Sequence, residues 1–266
     1  MISAAQRYAF QRKILAWYPH HRRNLPWRTT TDPYAILVSE VMLQQTQVER
    51  VIPYYQNFLQ HYPTIQALAR ARKKDLLRIW SGLGYNGRVL RLQKTAHLIV
   101  EQHQGIFPRD YEQLLCLPGV GPYTARAVLA FAFNKAAPVV DTNIRRVLLH
   151  AFRFPASTSL RTVELLAAQL IPEGKSRIWH NALMDYGALH ATARKTKITS
   201  LSRQSRFEGS KRQLRGKIIR YLLQHSSSSF QELQTFFSDR RLPSIVAQLE
   251  TEGFLQIIDG CVRLAP

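Results

Sequence analysis

The stretch Leu117-Pro118-Gly119-Val120-Gly121-Pro122-Tyr123-Thr124-Ala125 decides the reading of this chain, together with Asp141, which follows Tyr123 by eighteen residues in Val139-Val140-Asp141-Thr142-Asn143. Pro118, Gly119 and Gly121 are poor helix-interior residues, yet an apolar run (Leu114, Leu115, Leu117) precedes them and a helix-forming run from Ala125 to Phe133 follows. The segment reads as a tight hairpin between two helices. A turn without bulky side chains lets backbone N–H groups and the positive end of the second helix come close to an anion. An ordinary helix–loop–helix turn carries the same local signature, so the hairpin alone leaves both readings open.

Around this stretch lie 266 residues, enough for one large or two modest domains, and the 45% hydrophobic content can bury a proper core. Lys and Arg number 37 against 17 Asp and Glu, a net charge of +20. With a pI near 10.5 the expected partner is a polyanion, nucleic acid before membrane. No apolar run approaches the roughly eighteen residues of a membrane span, and Met1 to Arg7 has no hydrophobic signal core, so the expectation is a soluble cytoplasmic protein. Cys116 and Cys261 are the only cysteines, which rules out a disulfide scaffold and an all-cysteine metal site.

The flanking pattern is helical. Phe10, Ile14, Leu15 and Trp17 mark an amphipathic helix over 6–19, which ends in His20-His21-Arg22-Arg23. Those histidines have no carboxylate or thiol nearby, which favours solvated, phosphate-facing side chains over a metal pair. Asp32-Pro33 reads as a helix start, and the helix is expected to run to Gln47. Within it Glu40 is a lone acid in an apolar run. Burial disfavours a carboxylate and raises its pKa, as a general acid at neutral pH requires. A surface glutamate paired with a basic neighbour is the plainer alternative. Further helices are expected near 53–61, 64–70, 73–80, 86–103, 143–152, 159–170 and 176–190. From Ala191 to Arg220 ten Lys or Arg face the single acid Glu208, a linker, a phosphate-binding surface or both. Three short amphipathic helices follow (Leu214 to Leu222, Phe230 to Phe237, Leu242 to Leu249), with Ser226 to Ser229 read as a polar loop. An Asp259-Gly260 turn between two alternating runs closes the chain, so the end reads as a winged-helix module with a two-stranded wing.

With Tyr123 and Asp141 included, the hairpin resembles the helix-hairpin-helix, Gly/Pro-rich loop and aspartate signature of the base-excision DNA glycosylases that include endonuclease III and MutY. From Leu25 to Gly187 the chain is similar to MutY-type adenine DNA glycosylases. The matching blocks are Leu25-Pro26-Trp27-Arg28, Ser39 to Val48, Gly82-Leu83-Gly84-Tyr85, the hairpin, Asp141 with Asn143, and Met184-Asp185-Tyr186-Gly187. The resemblance implies a mainly α, two-domain architecture: a six-helix barrel with the hairpin at 29–135 and a second helical domain from 1–28 and 136–206; the winged-helix module read from the apolar pattern follows at 207–266. The active site is expected in a cleft between the first two domains.

The resemblance also assigns roles. Glu40 looks like the acid that protonates adenine, and Asp141 like the carboxylate that stabilises an oxocarbenium-like sugar. Tyr123 and Asn143 match positions that hydrogen-bond this pair. Bifunctional relatives carry a Schiff-base lysine where Tyr123 stands, so a monofunctional enzyme with at most weak lyase activity is expected. Trp27 and Arg28 match the rim of the base pocket, and Asn181 a residue touching the flipped base. Gln45 resembles the intercalating wedge and Tyr85 the aromatic beside the orphan base, with Thr46 and Leu83 near it. Core packing is the alternative for Tyr85. Gly119 and Gly121 are expected at the DNA backbone, and Arg126, Lys135, Arg145 and Arg146 at phosphates. The hairpin in this superfamily tends to hold a monovalent ion or calcium, here on the carbonyls of Leu115, Leu117 and Val120. The implied partner is double-stranded DNA with a mismatched or lesion-paired base, bound by a monomer.

Three departures stand out. Relatives with a four-iron cluster carry four cysteines after the Met-Asp-x-Gly block, and that spacing lands here on Ala191, Ile198, Leu201 and Phe207. An apolar cluster is expected in place of the metal. Asn181 stands where many adenine glycosylases have Gln or Glu, which leaves room for a thymine or uracil glycosylase. The winged helix occupies the place of a larger domain that inspects 8-oxoguanine, although Phe207 to Gly216 resembles the tail of a subset of MutY proteins. A catalytically silent DNA-binding protein is the rival outside the enzyme class, and retention of Glu40 and Asp141 speaks against it. A winged-helix transcription factor would leave the first 200 or so residues unexplained. Purified protein is expected to contain no iron by elemental analysis; stoichiometric iron would refute the substitution of packing for metal.

Overall fold

The structure is a computed structural model describing residues 2–199 and 205–266. Among these residues the chain is mainly helical. The helices are α1 (Ala4–His21), α2 (Pro33–Leu43), α3 (Val48–His61), α4 (Ile65–Ala69), α5 (Lys73–Trp80), α6 (Gly87–Gln102), α7 (Tyr111–Leu115) and α8 (Pro122–Phe131). They continue as α9 (Thr142–Ala151), α10 (Leu160–Gln169), α11 (Ser176–Leu189), α12 (Ala193–Thr196), α13 (Lys211–His225), α14 (Phe230–Phe237) and α15 (Leu242–Thr251). The strands are β1 (Ser227–Ser229), β2 (Leu255–Ile258) and β3 (Cys261–Leu264).

Most helices fall where the apolar spacing puts them, although α12 forms within the stretch read as a linker, and three further departures are instructive. First, α3 begins at Val48 and carries Pro53 inside it, because the stripe Val51, Tyr55 and Phe58 continues across the proline. Second, α2 ends at Leu43 rather than Gln47, and Gln45 sits in the left-handed region at φ 58°. Its last carbonyls are taken by the Arg88 side chain, as described below. Third, Ser227–Ser229 is a strand and not a loop. It pairs antiparallel with β3, Ser228 opposite Val262, giving a three-stranded sheet in the order β1-β3-β2 instead of a two-stranded wing. β2 and β3 are joined through Asp259 and Gly260, both at positive φ (49° and 73°), the conformation a two-residue hairpin turn requires.

Packing divides the chain into two units, Met1–Glu40 with Phe107–Arg203 and Val41–Ile106 with Gln204–Pro266. In the first, the core gathers Phe10, Ile14 and Tyr18 of α1, Ile144, Val147 and Leu148 of α9, Val163 and Leu166 of α10, and Trp179, Ala182 and Leu183 of α11. Phe10 meets Trp179 edge to face at 5.8 Å between ring centroids, a favoured aromatic geometry. Helices α9 and α11 touch closely because residue 187 is glycine. A Cβ there would lie 2.7 Å from the Cβ of Asn143 and 2.8 Å from its carbonyl oxygen.

In the second unit, α3 to α6 enclose Phe58, Leu68, Leu76, Leu77, Trp80, Leu92 and Ile99. The terminal helices and sheet enclose Leu214, Ile218, Leu222, Leu233, Ile245, Leu249, Phe254 and Val262. Helix α13 packs on α5. Lys73 donates to the carbonyl of Gly253 at 3.1 Å and Lys74 to the Ser226 hydroxyl at 3.3 Å, so α5 is tied to the terminal segment at two points.

Gly187→Ala is expected to destabilise the protein by about 1–3 kcal/mol, because the methyl group meets backbone rather than a movable side-chain end. The midpoint of urea unfolding measures this; an unchanged midpoint would contradict the close approach of α9 and α11.

Candidate active site

The hairpin forms as its composition demands. α7 is capped by Asp110, whose side chain accepts the N–H groups of Glu112 and Gln113, and α8 starts with Pro122 at its first position behind Gly121. Between them the Leu117 N–H reaches the Leu114 carbonyl at 3.2 Å and the Val120 N–H the Leu117 carbonyl at 3.1 Å. Gly119 is exposed and sits at φ 79°, where a side chain would be strained. This turn brings Tyr123, in the first turn of α8, to Glu40 on α2.

Glu40 is only 6% exposed. Burial pushes its carboxyl up to about 7; the nearby Asp141 carboxyl adds to the rise, while a hydrogen bond from Tyr123 and the charge of Arg28 work against it. Near neutral pH the group is therefore shared between acid and base forms, as proton transfer in both directions requires. The Tyr123 phenol is pushed well above its ordinary value by burial and by the two carboxyls, so it stays a donor.

Asp141 caps α9. Its Oδ1 accepts the Ile144 N–H at 2.6 Å and its Oδ2 the Asn143 side-chain amide at 3.0 Å. Burial raises its pKa; the donors Ile144 and Asn143 and the charge of Arg146 favour the ionised form. Asp141 is thus a carboxyl held at a helix N-terminus by N–H groups that work against a rise caused by burial, and Glu40 a carboxyl held in an apolar wall. Two carboxyls with different surroundings beside one tyrosine can divide proton donation from cation stabilisation.

Behind this pair lies polar support that the sequence reading did not assign. Asp185 on α11 has no exposed surface and is gripped by two arginines. Arg28 reaches both of its oxygens, with Nη2 to Oδ1 at 2.8 Å, and Arg23 adds its N–H at 3.0 Å and its Nε at 2.5 Å. Burial alone would raise the Asp185 pKa, but Arg28 and Arg23 outweigh it and hold the carboxyl below its ordinary range. The signal was available: Asp185 is a lone acid in an apolar helix, the same pattern that singles out Glu40.

His180 is 1% exposed and its Nε2 accepts the Val139 N–H at 3.1 Å while Nδ1 meets the Ser176 carbonyl at 2.7 Å. Burial lowers its pKa to about 4, so it is a neutral anchor for the chain leading into Asp141. Arg146, 9% exposed, spends its donors on Asn143 and on the carbonyls of Ile198 and Ala191. Arg145 likewise is buried and serves the carbonyls of Thr199 and Ala156. Both are internal supports and not the surface phosphate contacts their positions suggested. Two adjacent cations in a helix carry no sequence sign of burial.

The other expected residues are placed as follows. In the first unit, Trp27 is buried, Asn181 is half-buried on α11, and Arg126 pairs with Glu164 under the Tyr111 ring. In the second unit, Gln45 is exposed, Thr46 half-buried, Leu83 buried at 5% exposure and Tyr85 half-buried at φ 48°. Among the described residues no group of three or more His, Cys, Asp or Glu could hold a metal, and Cys116 and Cys261 are free and exposed. Of the four expected apolar replacements, Ala191 and Ile198 join the first unit's core. Leu201 lies outside the described residues. Phe207 departs from the expectation: it is 49% exposed, its ring beside the Arg212 guanidinium at 5.5 Å.

A helical hairpin followed by a capped aspartate defines a class of DNA-repair protein. Residues 38–173 match the model of the HhH-GPD superfamily of base excision DNA repair proteins, and the chain belongs to that family. The relatives narrow this. The chain is 40% identical over 230 residues to an adenine DNA glycosylase of Mycolicibacterium smegmatis, covering 78% of each chain. It is 42% identical over 197 residues to the human adenine DNA glycosylase, covering 69% of this chain but 36% of the human one. Among solved structures it resembles a thermostable thymine-DNA glycosylase at TM-score 0.68 and 33% identity, covering 73% of this chain and 91% of that one.

The raised Glu40 pKa carries a stability consequence. A carboxyl that titrates near 7 when folded and near 4.5 otherwise contributes stability below about pH 4.5 that is lost as pH rises through about 7. Glu40→Gln is expected to flatten the fall in unfolding free energy between pH 5 and pH 8, on the order of 3 kcal/mol at most. Urea unfolding at both pH values measures it; parallel profiles for the two proteins would show that Glu40 does not take up a proton on folding.

Proposed function

We propose that this protein is a monofunctional adenine DNA glycosylase of base excision repair, acting on adenine mispaired with 8-oxoguanine or guanine in double-stranded DNA. The observation that carries the reading is the Glu40–Tyr123–Asp141 constellation: an acid poised near neutrality, hydrogen-bonded to a tyrosine and close to a carboxylate held by backbone N–H groups. The N-glycosidic bond breaks when the departing base is protonated and the sugar cation is stabilised. Glu40 supplies the proton to the imidazole ring of the flipped adenine, and Asp141 stabilises the oxocarbenium-like sugar until water adds. Tyr123 has no amine and forms no Schiff base, so strand cleavage is absent or weak.

Supporting roles follow from the family. Trp27 and Arg28 rim the base pocket, Asn143 orients Asp141, and Asn181 meets the flipped base. Gln45 fills the gap left in the stack, with Thr46, Leu83 and Tyr85 around it. The N–H groups at Gly119 and Gly121, with Arg126, meet phosphates. The carbonyls of Leu115, Leu117 and Val120 are neutral oxygen donors, a set that suits a monovalent ion or calcium and would steady the hairpin. No iron–sulfur cluster is needed. The architecture is the barrel, the flanking helical domain and a winged-helix module at 207–266, working as a monomer in the cytoplasm with the DNA. No helix among the described residues is long and apolar enough to cross a membrane.

A second reading, a thymine or uracil mismatch glycosylase, is favoured by the thymine-DNA glycosylase likeness at 33% identity and by Asn181 in place of a longer amide. Single-turnover cleavage of duplexes differing only in the central pair (A opposite 8-oxoguanine, A·G, T·G, U·G) separates the two. The expected result is release of adenine alone, at a rate that falls as pH rises through about 7 because the acid form of Glu40 is lost. Glu40→Gln is expected to slow release by roughly 10²–10⁴-fold. Release of pyrimidines alone would establish the second reading.

A further inference from the structure

A groove of about 760 Å³ opens in the second unit, walled by the loops 44–47 and 81–87 and by the first turns of α13. Its volume accommodates a nucleotide. Arg50, Arg91, Lys211, Arg212, Arg215 and Arg220 line it, against the single carboxylate Glu252. Both oxygens of Glu252 are already held by Arg215. The groove is thus strongly cationic, as a phosphodiester site requires. Glu40, Tyr123 and Asp141 do not line it, so it is not where the glycosidic bond is cut.

At its centre stands an arrangement the sequence does not announce. The Arg212 guanidinium lies over the Tyr85 ring at 4.8 Å and beside the Phe207 ring at 5.5 Å. It donates to the Tyr85 hydroxyl and, at 3.3 Å, to the Ser205 carbonyl. A guanidinium carries five N–H donors in one plane; the two rings and these two bonds fix that plane and use two of the five.

We infer that Arg212, set by Tyr85 and Phe207, reads the base opposite the excised one and selects for guanine or 8-oxoguanine. The inference rests on the proposed function, in which Tyr85 stands beside that base. The chemistry is specific. Guanine presents O6 and N7 acceptors to a guanidinium fork; in 8-oxoguanine N7 carries a hydrogen, and O6 and O8 remain as separate acceptors, each open to one N–H. Cytosine turns an amino donor toward such a contact, which a guanidinium cannot accept. The remaining cations of the groove hold the backbone of that strand without regard to sequence. A segment beyond residue 204 thus completes the partner-base site begun by Gln45 and Tyr85.

The test is fluorescence anisotropy of the full chain with duplexes carrying a tetrahydrofuran abasic analogue opposite 8-oxoguanine, guanine or cytosine, over a salt series. The wild-type protein is expected to bind the two purine duplexes roughly tenfold or more tighter than the cytosine duplex. Arg212→Ala is expected to erase most of that preference and to change binding of the cytosine duplex by less than about threefold. Arg212→Lys keeps the charge and a donor that can still reach guanine O6 and N7 but not the rigid fork, and is expected to retain only part of the preference while keeping the salt slope. Equal weakening on all three duplexes, an unaltered preference in both variants, or no preference in the wild type would each overturn the inference. Adenine release by the wild type is measured separately on duplexes with adenine opposite 8-oxoguanine or guanine: its absence from both would overturn the proposed function and not the binding result.

Discussion

A carboxyl group enclosed by apolar side chains must either keep its proton or find cations close enough to replace water, and the first unit contains one of each kind. Glu40 keeps its proton near neutral pH because burial outweighs a tyrosine hydrogen bond and one nearby arginine. Asp185, itself without exposed surface, ionises because Arg28 and Arg23 together supply four contacts. The two solutions are linked, since Arg28 is the same side chain whose charge bears on Glu40. Holding Arg28 on Asp185 limits how far it can stabilise the Glu40 anion. The proton affinity of Glu40 is therefore set by burial and only trimmed by Arg28, and the close α9–α11 approach at Gly187 holds α11 against the cap that presents Asp141.

A similar economy governs the segment after α11. Ala191 and Ile198 fill core positions, and Arg146 takes their carbonyls while its charge favours the Asp141 anion. A single guanidinium thus satisfies buried backbone groups and favours the Asp141 anion. Removing it would cost both, which is why a buried arginine here is a structural part and not a surface charge turned inward.

How far such features can be read from sequence depends on how local their causes are. The hairpin was legible because proline and glycine act on their own backbone, and Glu40 because a lone acid in an apolar helix stands out against its neighbours. Helix extents followed from apolar spacing, as with Val51, Tyr55 and Phe58 running through Pro53. The end of α2 was not legible: Gln44, Gln45 and Thr46 have no aversion to helix, and what stops them is a side chain from α6. Strand β1 was hidden for the same reason, since three serines have no strand preference and pair only because β3 lies beside them. Arg145, Arg146 and Phe207 were misjudged because the rule placing arginine outside and phenylalanine inside is an average over many proteins, and partners distant in sequence decide the individual case.

The side chain that stops α2 is Arg88, 4% exposed, with its cation kept although burial lowers its pKa to about 10. It donates to the carbonyls of Val41, Met42 and Gln44 on one side and of Leu83 and Gly84 on the other, and packs against the Trp80 and Tyr85 rings. The loop bearing Gln45 and the loop bearing Tyr85 thus share one fastening, and each tip sits at a positive φ that this fastening helps to hold. In genetic terms the two loops are epistatic through residue 88. The effect of a change at position 45 or 85 is conditional on residue 88, so natural variation in these loops should be inherited as compatible sets and not as independent substitutions.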